Sequence, residues 1–128
     1  MPTTETIEKL IQAYFDNMAA MNASGLVDIL AEDVEIYDPV GSPAKGREDL
    51  GKLFDILSQF YQKMEVTPKE KFIAGNGGAA QWSMLVVAKN GKTVSAEGIG
   101  VFEINEAGKI QKVSSYWDEG AMVAQLKG

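Results

Sequence analysis

The chain has 128 residues, of which 12 are basic and 18 are acidic, so its net charge at pH 7 is −6. No segment clusters lysine and arginine in the way that a phosphate-binding surface requires, which argues against nucleic acid and anionic membranes as partners. Cysteine and histidine are both absent. Their absence excludes disulfides and thiolate catalysis and argues against a zinc site, so we expect no metal or other cofactor.

The length is typical of one domain, and 45% hydrophobic residues are enough for a core, so we expect a single domain over residues 1–128. No apolar run approaches the ~20 residues needed to cross a bilayer. The N-terminal Met1-Pro2-Thr3-Thr4-Glu5 also lacks the basic and then hydrophobic pattern of a secretory signal. We therefore expect a cytoplasmic location.

The first predicted element is an amphipathic helix capped by Thr3 or Thr4. Its apolar positions are Ile7, Leu10, Ile11, Tyr14, Met18 and Met21. The stretch 22–25 is expected to end this helix. A short second helix is predicted over residues 26–31, with Ser24 as its cap.

A brief strand is predicted over residues 34–38, followed by a loop at 41–46. The run 47–64 is predicted to be the third helix because its apolar residues share one helical face. Those residues are Leu50, Leu53, Phe54, Leu57 and Tyr61.

After Pro68 the pattern changes to β-branched and aromatic residues between turn signals. The predicted strands are 69–74, 79–89, 92–105 and 109–118, and a closing helix is predicted over 121–126. Asn90-Gly91 predicts a type I′ hairpin turn, and a second connection is predicted at 105–108, so the strands should form a meander. Helices followed by an antiparallel sheet indicate an α+β fold with the helices on one face of the sheet.

Side-chain alternation predicts that one face of the sheet is apolar. This face comprises Trp82, Met84 and Val86, then Val94, Ala96, Gly98, Gly100 and Phe102, and finally Val113, Ser115 and Trp117. Large aromatic residues opposite glycine and alanine favour a cavity, which Gly98 and Gly100 would widen. The alternative is a well-packed core, in which the two tryptophans are ordinary core residues.

Without histidine or cysteine, acid–base chemistry near neutral pH depends on a carboxylate, a tyrosine or a lysine whose pKa is shifted by burial. Asp38 lies where an apolar strand meets Pro39 and Gly41, which makes it the candidate base. The alternative is an Asx-type turn residue before proline. Tyr14 is likewise either a functional hydroxyl or a core tyrosine of an amphipathic helix.

The segment Asp38-Pro39-Val40-Gly41-Ser42, together with Tyr14, resembles the ketosteroid isomerase branch of the nuclear transport factor 2-like superfamily, and the similarity covers the whole chain. It implies a cone in which a curved, mostly antiparallel sheet wraps around three helices and encloses an apolar pocket. It also implies that Asp38 is the general base and that the Tyr14 hydroxyl donates to the substrate oxygen. Residues 76–94 and 107–109 are looser matches.

Trp82, Met84, Val113 and Trp117 fall on pocket positions of the family, in agreement with the alternation. The expected substrate-binding residues are these four together with Phe54, Leu57, Val86, Gly100 and Phe102. One departure is that Gly100 stands where the family has an aspartate as its second oxyanion donor. Asp55 follows Phe54, where a supporting tyrosine is expected. A β-bulge near Ser95 could turn Glu97 inward, whereas simple alternation places Glu97 on the opposite face.

Three functions are consistent with the sequence. The first is a steroid delta-isomerase-like enzyme with a depleted oxyanion hole, which moves a proton beside a ketone. The second is an acid–base enzyme similar to polyketide cyclases, and the third is a non-catalytic module that binds a bulky apolar ligand. The outer sheet face mixes polar and apolar residues, which suits the homodimer that the resemblance implies. Its residues are Thr93, Ser95, Ile99, Val101 and Ser114, with Ser83 also at a solvent or interface position.

Overall fold

The structure, a computed structural model, describes residues 2–127. In chain order the elements are α1 (Thr4–Ala19), α2 (Ala23–Ile29), β1 (Leu30–Tyr37), a single 3₁₀ turn (Arg47–Asp49), α3 (Leu50–Phe60), β2 (Tyr61–Ala74), β3 (Gly77–Ala88), β4 (Thr93–Ile104), β5 (Ile110–Tyr116) and α4 (Glu119–Lys127). The five strands form one sheet in the order β1-β5-β4-β3-β2. Strands β2 to β5 are the predicted antiparallel meander, and β1 pairs with β5 in parallel.

The core lies between the helices and the inner face of the sheet. Helix α1 begins where the Thr3 side chain accepts a hydrogen bond of 3.1 Å from the Thr6 backbone N–H, as a capping threonine should. The helix packs against β2 and β3. Its buried stripe consists of Ile7, Ile11, Tyr14 and Phe15. The predicted α+β fold, with helices on one face of a mostly antiparallel sheet, is confirmed.

The third helix ends at Phe60 and not at residue 64, and the chain is already extended at Tyr61. The register with β3 shifts between Tyr61 and Lys63, so this strand contains a bulge. A bulge lets Tyr61 and Met64 face the same side at a spacing of three residues, which in the sequence mimics a helix. Pro68 also lies within β2, because β2 is an edge strand and its register shifts again after this proline.

The hairpin at Asn90-Gly91 is not the predicted type I′ turn. Gly91 has φ +88°, but Asn90 does not have a positive φ. The Gly91 N–H donates to the Ala88 carbonyl at 2.9 Å, and the Ala88 N–H donates to the Lys92 carbonyl at 2.8 Å. This pattern describes a three-residue loop whose last residue, a glycine, has the left-handed conformation.

The starts of α2 and β1 also differ from the prediction. Helix α2 begins at Ala23, because the Asn22 side chain, and not that of Ser24, accepts from the Gly25 N–H at 3.1 Å. Strand β1 begins at Leu30, four residues before the predicted position. The closing helix is confirmed as α4. Among residues 2–127, no helix is long and apolar enough to span a membrane.

Candidate active site

A cavity of about 190 Å³ lies between the inner face of the sheet and the helices α1, α3 and α4. Most of its wall is apolar. The polar side chains in the wall are those of Asp38, Lys45, Ser115 and Glu119, with Tyr14, Tyr61, Trp82 and Trp117 adding ring-borne polar groups. The predicted cavity is therefore present, and the alternative of a fully packed core is wrong.

Asp38 reaches this cavity because it directly follows β1. The parallel register pairs Tyr37 with Ser114 of β5, so Asp38 emerges beside Ser115. The Val40 N–H then donates to the Ser115 carbonyl at 2.8 Å, and two backbone hydrogen bonds of 2.9 Å join Ile36 to Lys45. These hydrogen bonds fix both ends of the loop that carries Asp38.

The Asp38 carboxylate accepts two hydrogen bonds from the cavity wall. The Tyr14 hydroxyl donates to Oδ2 at 3.1 Å, and the Trp117 indole Nε1 donates to Oδ1 at 2.7 Å. Both carboxylate oxygens are therefore held by donors that come from opposite sides, α1 and the end of β5. The two candidate catalytic groups, which the sequence places 24 residues apart, are in direct contact.

Burial raises the pKa of the Asp38 carboxyl above its usual value. The hydrogen bonds from Trp117 and Tyr14, and the positive charge of Lys45, oppose this shift, whereas the negative charge of Glu119 adds to it. Desolvation dominates because the carboxyl group itself is enclosed, although the residue keeps part of its surface open to the cavity. A carboxyl group with a raised pKa is a stronger base once it is ionised.

Tyr14 is 3% exposed, and its ring packs edge-on against Phe15 and Phe102, with centroid distances of 5.7 and 5.2 Å. Burial, and then the negative charge of Asp38, raise the pKa of the Tyr14 hydroxyl well above its usual value. The phenol therefore keeps its proton at neutral pH. It acts as a hydrogen-bond donor and not as an acid that releases its proton.

A second polar pair lies next to this site. The Trp82 indole Nε1 donates to the Ser115 hydroxyl oxygen at 3.3 Å, although Trp82 is on β3 and Ser115 is on β5. The indole crosses the intervening strand at Gly98, where a Cβ atom would lie 2.8 Å from Trp82 Cζ2 and 2.8 Å from Trp117 Cβ. The absence of a side chain at Gly98 is therefore what allows the two tryptophans to lie edge to face, with centroids 5.7 Å apart.

Of the nine predicted substrate-binding residues, five line the cavity, namely Leu57, Trp82, Met84, Val86 and Trp117. The other four lie outside its wall, and they are Phe54, Gly100, Phe102 and Val113. Phe54, Phe102 and Val113 are buried in the core behind the wall. Alternation gave the correct face for Phe102 and Val113, but it could not tell which inward residues are covered by helix side chains.

The expectation that Gly98 and Gly100 widen the pocket is wrong. The two tryptophan side chains occupy the space over Gly98. A Cβ atom on Gly100 would lie 3.1 and 3.3 Å from ring atoms of Phe102 and 3.7 Å from the Phe15 ring. Aromatic rings, and not open space, therefore occupy the position of the family's second oxyanion donor.

Glu97 is exposed on the outer face of the sheet. The pairing of β3 with β4 runs without a shift from Gly77–Glu103 to Val87–Thr93, so β4 has no bulge against this partner. Simple alternation therefore holds, and Glu97 does not reach the cavity.

Several cavity residues were missed by the sequence analysis. Lys45 and Glu119 lie in a loop and at the start of α4, where no periodic pattern indicates an inward side chain. Four of the six methionines line the cavity, namely the predicted Met84 and the unpredicted Met18, Met64 and Met122. The cavity is smaller than the roughly 300–1,000 Å³ of typical ligand pockets. Because methionine side chains are flexible, this wall can change shape around a larger ligand.

Within residues 2–127, no group of three or more aspartate or glutamate side chains is arranged to hold a metal ion. The chemistry that this site offers is that of a desolvated carboxylate beside a neutral phenol in an apolar cavity. Such a pair can remove a proton from carbon and donate a hydrogen bond to the oxygen on which negative charge develops.

Residues 11–113 match the model of the SnoaL-like domain family. The chain therefore belongs to the SnoaL-like family, and its mixed five-stranded sheet curved around the helices is the nuclear transport factor 2-like cone that the sequence resemblance implied.

Solved structures share this fold. The protein RV0760c from Mycobacterium tuberculosis, in complex with estradiol-17beta-hemisuccinate, is 24% identical, with a TM-score of 0.77 and coverage of 90% of this chain and 95% of that one. The Delta 5-3-ketosteroid isomerase from a Mycobacterium species is 19% identical, with a TM-score of 0.78 and coverage of 91% and 96%. IdmH from Streptomyces antibioticus, a candidate polyketide cyclase, is 16% identical, with a TM-score of 0.78 and coverage of 94% and 98%.

Proposed function

We propose that this protein is a steroid delta-isomerase-like enzyme of the ketosteroid isomerase branch, which moves a proton beside a ketone through a dienolate. The observation that carries the proposal is the hydrogen bond of 3.1 Å between Tyr14 and Asp38 at the wall of an apolar cavity. A carboxylate and a phenol are the two groups that enolate formation needs, one for the proton and one for the oxygen.

In the proposed reaction, Asp38 takes a proton from the carbon next to the ketone. The electrons of the broken C–H bond move to the oxygen, and the Tyr14 hydroxyl turns from Asp38 to donate to that oxygen. The protonated Asp38 then returns the same proton to a different carbon of the conjugated system, so a double bond moves and no co-reactant is needed. The indole of Trp117 holds the carboxyl group in place during both steps.

The apolar wall supports a bulky, mostly hydrocarbon substrate such as a steroid. We propose that Leu57, Trp82, Met84, Val86 and Trp117 contact it, because these predicted residues line the cavity. The remaining predicted residues, Phe54, Gly100, Phe102 and Val113, would act from behind the wall by supporting its shape. In particular, Phe102 packs against the Tyr14 ring and so positions the hydroxyl.

Gly100 leaves the proposed oxyanion hole without a carboxylic acid donor. Loss of one such donor typically costs roughly 3 kcal/mol, or on the order of a hundredfold in rate. The proposed isomerase is therefore active but slow unless another group supplies a second hydrogen bond.

The second candidate is an acid–base enzyme on another polycyclic ketone, similar to the polyketide cyclases. The methionine-lined wall favours it, because a wall that changes shape does not require one rigid substrate. IdmH, which shares the fold, is a candidate enzyme of this kind. A non-catalytic module for apolar ligands is the remaining alternative.

The test is conversion of a β,γ-unsaturated ketosteroid to its conjugated isomer, followed by absorbance. We expect turnover that Asp38→Asn lowers by roughly 100- to 10,000-fold without loss of steroid binding. No turnover above buffer by folded protein would overturn the isomerase. Binding without turnover, unchanged in Asp38→Asn, would support the binding module instead.

We further propose a homodimer formed through the outer face of the sheet. Ile99, Val101 and Tyr116 lie there next to one another in the strand register and are 44%, 38% and 55% exposed. Sedimentation of wild-type protein and of Ile99→Glu tests this assembly. The variant should be a monomer, and a wild-type monomer at high concentration would contradict the proposal.

A further inference from the structure

Apart from the aromatic residues, Ser115 is the only buried polar residue in the described part of the chain. It is 4% exposed and lies in the cavity wall. Its hydroxyl oxygen accepts the hydrogen bond of 3.3 Å from Trp82. Within residues 2–127, the structure shows no hydrogen bond donated by this hydroxyl. A buried hydroxyl with a free donor beside a cavity is suited to bind a ligand acceptor.

The protein fold fixes the orientation of this hydroxyl. Trp82 reaches Ser115 only because Gly98 leaves room for the indole to cross β4. The donated indole hydrogen occupies a lone pair of the Ser115 oxygen and polarises the O–H bond, which makes that hydroxyl a better donor. The serine hydrogen is thereby directed away from Trp82.

Ser115 also lies next to the proposed catalytic base. Its backbone carbonyl accepts a hydrogen bond of 2.8 Å from the N–H of Val40, which lies two residues after Asp38. Ser115 is two residues before Trp117, which directly follows β5 and whose indole holds Asp38, and both side chains line the cavity. Across the sheet it pairs with Gly100, the position where the resemblance implied a second donor.

We propose that the Ser115 hydroxyl, held by Trp82, is a second hydrogen-bond donor to the carbonyl oxygen of the ligand. This inference rests on the proposed function for the class of ligand, a ketone with a bulky apolar body. In the reaction Ser115 gives up no proton. It donates a hydrogen bond to the oxygen before and after Asp38 has removed the proton from carbon, and this bond strengthens as negative charge develops.

The test compares Ser115→Ala with Ser114→Ala, a matched control whose side chain lies on the outer face of the same strand. Two probes are used for each protein: a ketosteroid with a ¹³C-labelled carbonyl, and the analogue in which a methylene replaces that carbonyl. Binding is followed by the fluorescence of Trp82 and Trp117, and the carbonyl stretch is followed by infrared spectroscopy. Ser115→Thr, which keeps a hydroxyl, serves as the rescue variant.

We expect Ser115→Ala to bind the ketone about fivefold to tenfold more weakly and the methylene analogue as tightly as wild type does. The carbonyl stretch should move to higher frequency in Ser115→Ala, because one hydrogen bond is lost, and return toward the wild-type value in Ser115→Thr. Unchanged ketone affinity and stretch in a Ser115→Ala protein with wild-type circular dichroism would overturn the proposal.

These readouts separate the inference from the proposed function because neither requires turnover. If wild-type protein shows no isomerisation but Ser115→Ala still loses ketone-specific affinity, the isomerase fails and the donor role stands. If turnover is present and Ser115→Ala changes neither binding nor the stretch, the isomerase stands and the donor role fails. If wild-type protein binds neither probe, both fail.

Discussion

The Tyr14 hydroxyl donates a hydrogen bond of 3.1 Å to Asp38 Oδ2, and this contact joins the first helix to the end of the first strand. It brings together a donor that stays protonated and a carboxyl group whose pKa is raised by burial. A ligand oxygen that enters the cavity competes with Asp38 for the same phenolic hydrogen. In the proposed reaction, binding of a ketone therefore frees one oxygen of Asp38 at the point where this carboxylate is to accept a proton.

Tyr14→Phe should lower kcat by roughly 100- to 1,000-fold, because it removes a donor to the developing oxyanion. The ring contacts with Phe15 and Phe102 do not involve the hydroxyl, so the variant should fold. Loss of the hydrogen bond to Asp38 should cost about 1.5–3 kcal/mol of the free energy of unfolding. Tyr37→Phe, which removes a hydroxyl that donates to Glu35 at 3.1 Å outside the cavity, is the matched control. Steady-state kinetics with equal kcat for Tyr14→Phe and wild type would exclude Tyr14 as the oxyanion donor.

The acidic limb of the pH profile of kcat/KM should report the pKa of Asp38, since only the ionised carboxylate can accept a proton. Trp117→Phe and Lys45→Gln each remove a group that lowers this pKa, so both should move the limb to higher pH. Glu119→Gln removes a charge that raises the pKa and should move the limb to lower pH.

Salt provides the control for these three variants. The effects of Lys45 and Glu119 act through charge and should shrink at high ionic strength, whereas the hydrogen bond from Trp117 should not. A limb that stays in place in all three variants would show that another group is the base.

Asp38→Asn should stabilise the protein at neutral pH. Because the folded-state pKa of Asp38 is raised, the native state binds more protons than the unfolded state between about 3.9, the usual carboxyl pKa, and the raised value. Asp38 therefore stabilises the protein fully at a pH below the pKa that it has in the unfolded state. This stabilisation is lost as the pH rises through the pKa of the folded state.

Asparagine cannot ionise, so its advantage over wild type should be absent at acidic pH and grow toward neutral pH. Urea denaturation at several pH values measures it, with the exposed Glu32→Gln as control. A wild-type protein that is more stable than Asp38→Asn at pH 7, but not at low pH, would show that folding lowers the pKa of Asp38, contrary to the inference.

The glycines offer a graded test of packing. A Cβ atom at position 98 would meet the Tyr116 carbonyl and both tryptophans, so Gly98→Ala should cost about 3 kcal/mol of the free energy of unfolding. At position 100 the nearest atoms to a Cβ atom would be those of the Phe102 ring, at 3.1 and 3.3 Å, so Gly100→Ala should cost only about 1 kcal/mol. Gly51→Ala, in α3 with no atom within 4 Å, should gain about 0.5 kcal/mol.

The same geometry bears on introducing, at position 100, the second donor that the resemblance to ketosteroid isomerases implied. Gly100→Asp must displace the Phe102 ring, which supports Tyr14, so we expect lower stability and no gain in isomerase rate. Denaturation and kinetics on the same samples measure both quantities. A stable Gly100→Asp protein with a faster rate would show that the cavity extends to this strand.

The sequence predicted the inward-facing side chains of β3 better than it predicted element boundaries, for identifiable reasons. Strict alternation determined the inward faces of Trp82 and Met84, because β3 pairs with β4 without a bulge. The bulge at Tyr61 broke that rule in β2 and produced a helical spacing instead. Lys45 and Glu119 could not be predicted, since their inward direction depends on loop closure and on the docking of α4.

The position of Ser115, though not a role for it, could be predicted from the sequence. Alternation placed it on the apolar face between Val113 and Trp117, where a lone polar residue requires a partner. Its partner, Trp82, lies two strands away, and only the three-dimensional register identifies it. The sequence signal for such a residue is therefore a polar side chain on an otherwise apolar face.

The most direct test of the proposed chemistry is hydrogen–deuterium exchange at the carbon next to the carbonyl of a bound ketosteroid, followed by NMR in D₂O. It isolates proton removal by Asp38 from every later step. Wild-type protein should catalyse exchange at this carbon alone, and Asp38→Asn should bind the steroid without catalysing exchange. Equal exchange in both proteins, or none in a wild-type protein saturated with ketone, would contradict Asp38 as the base.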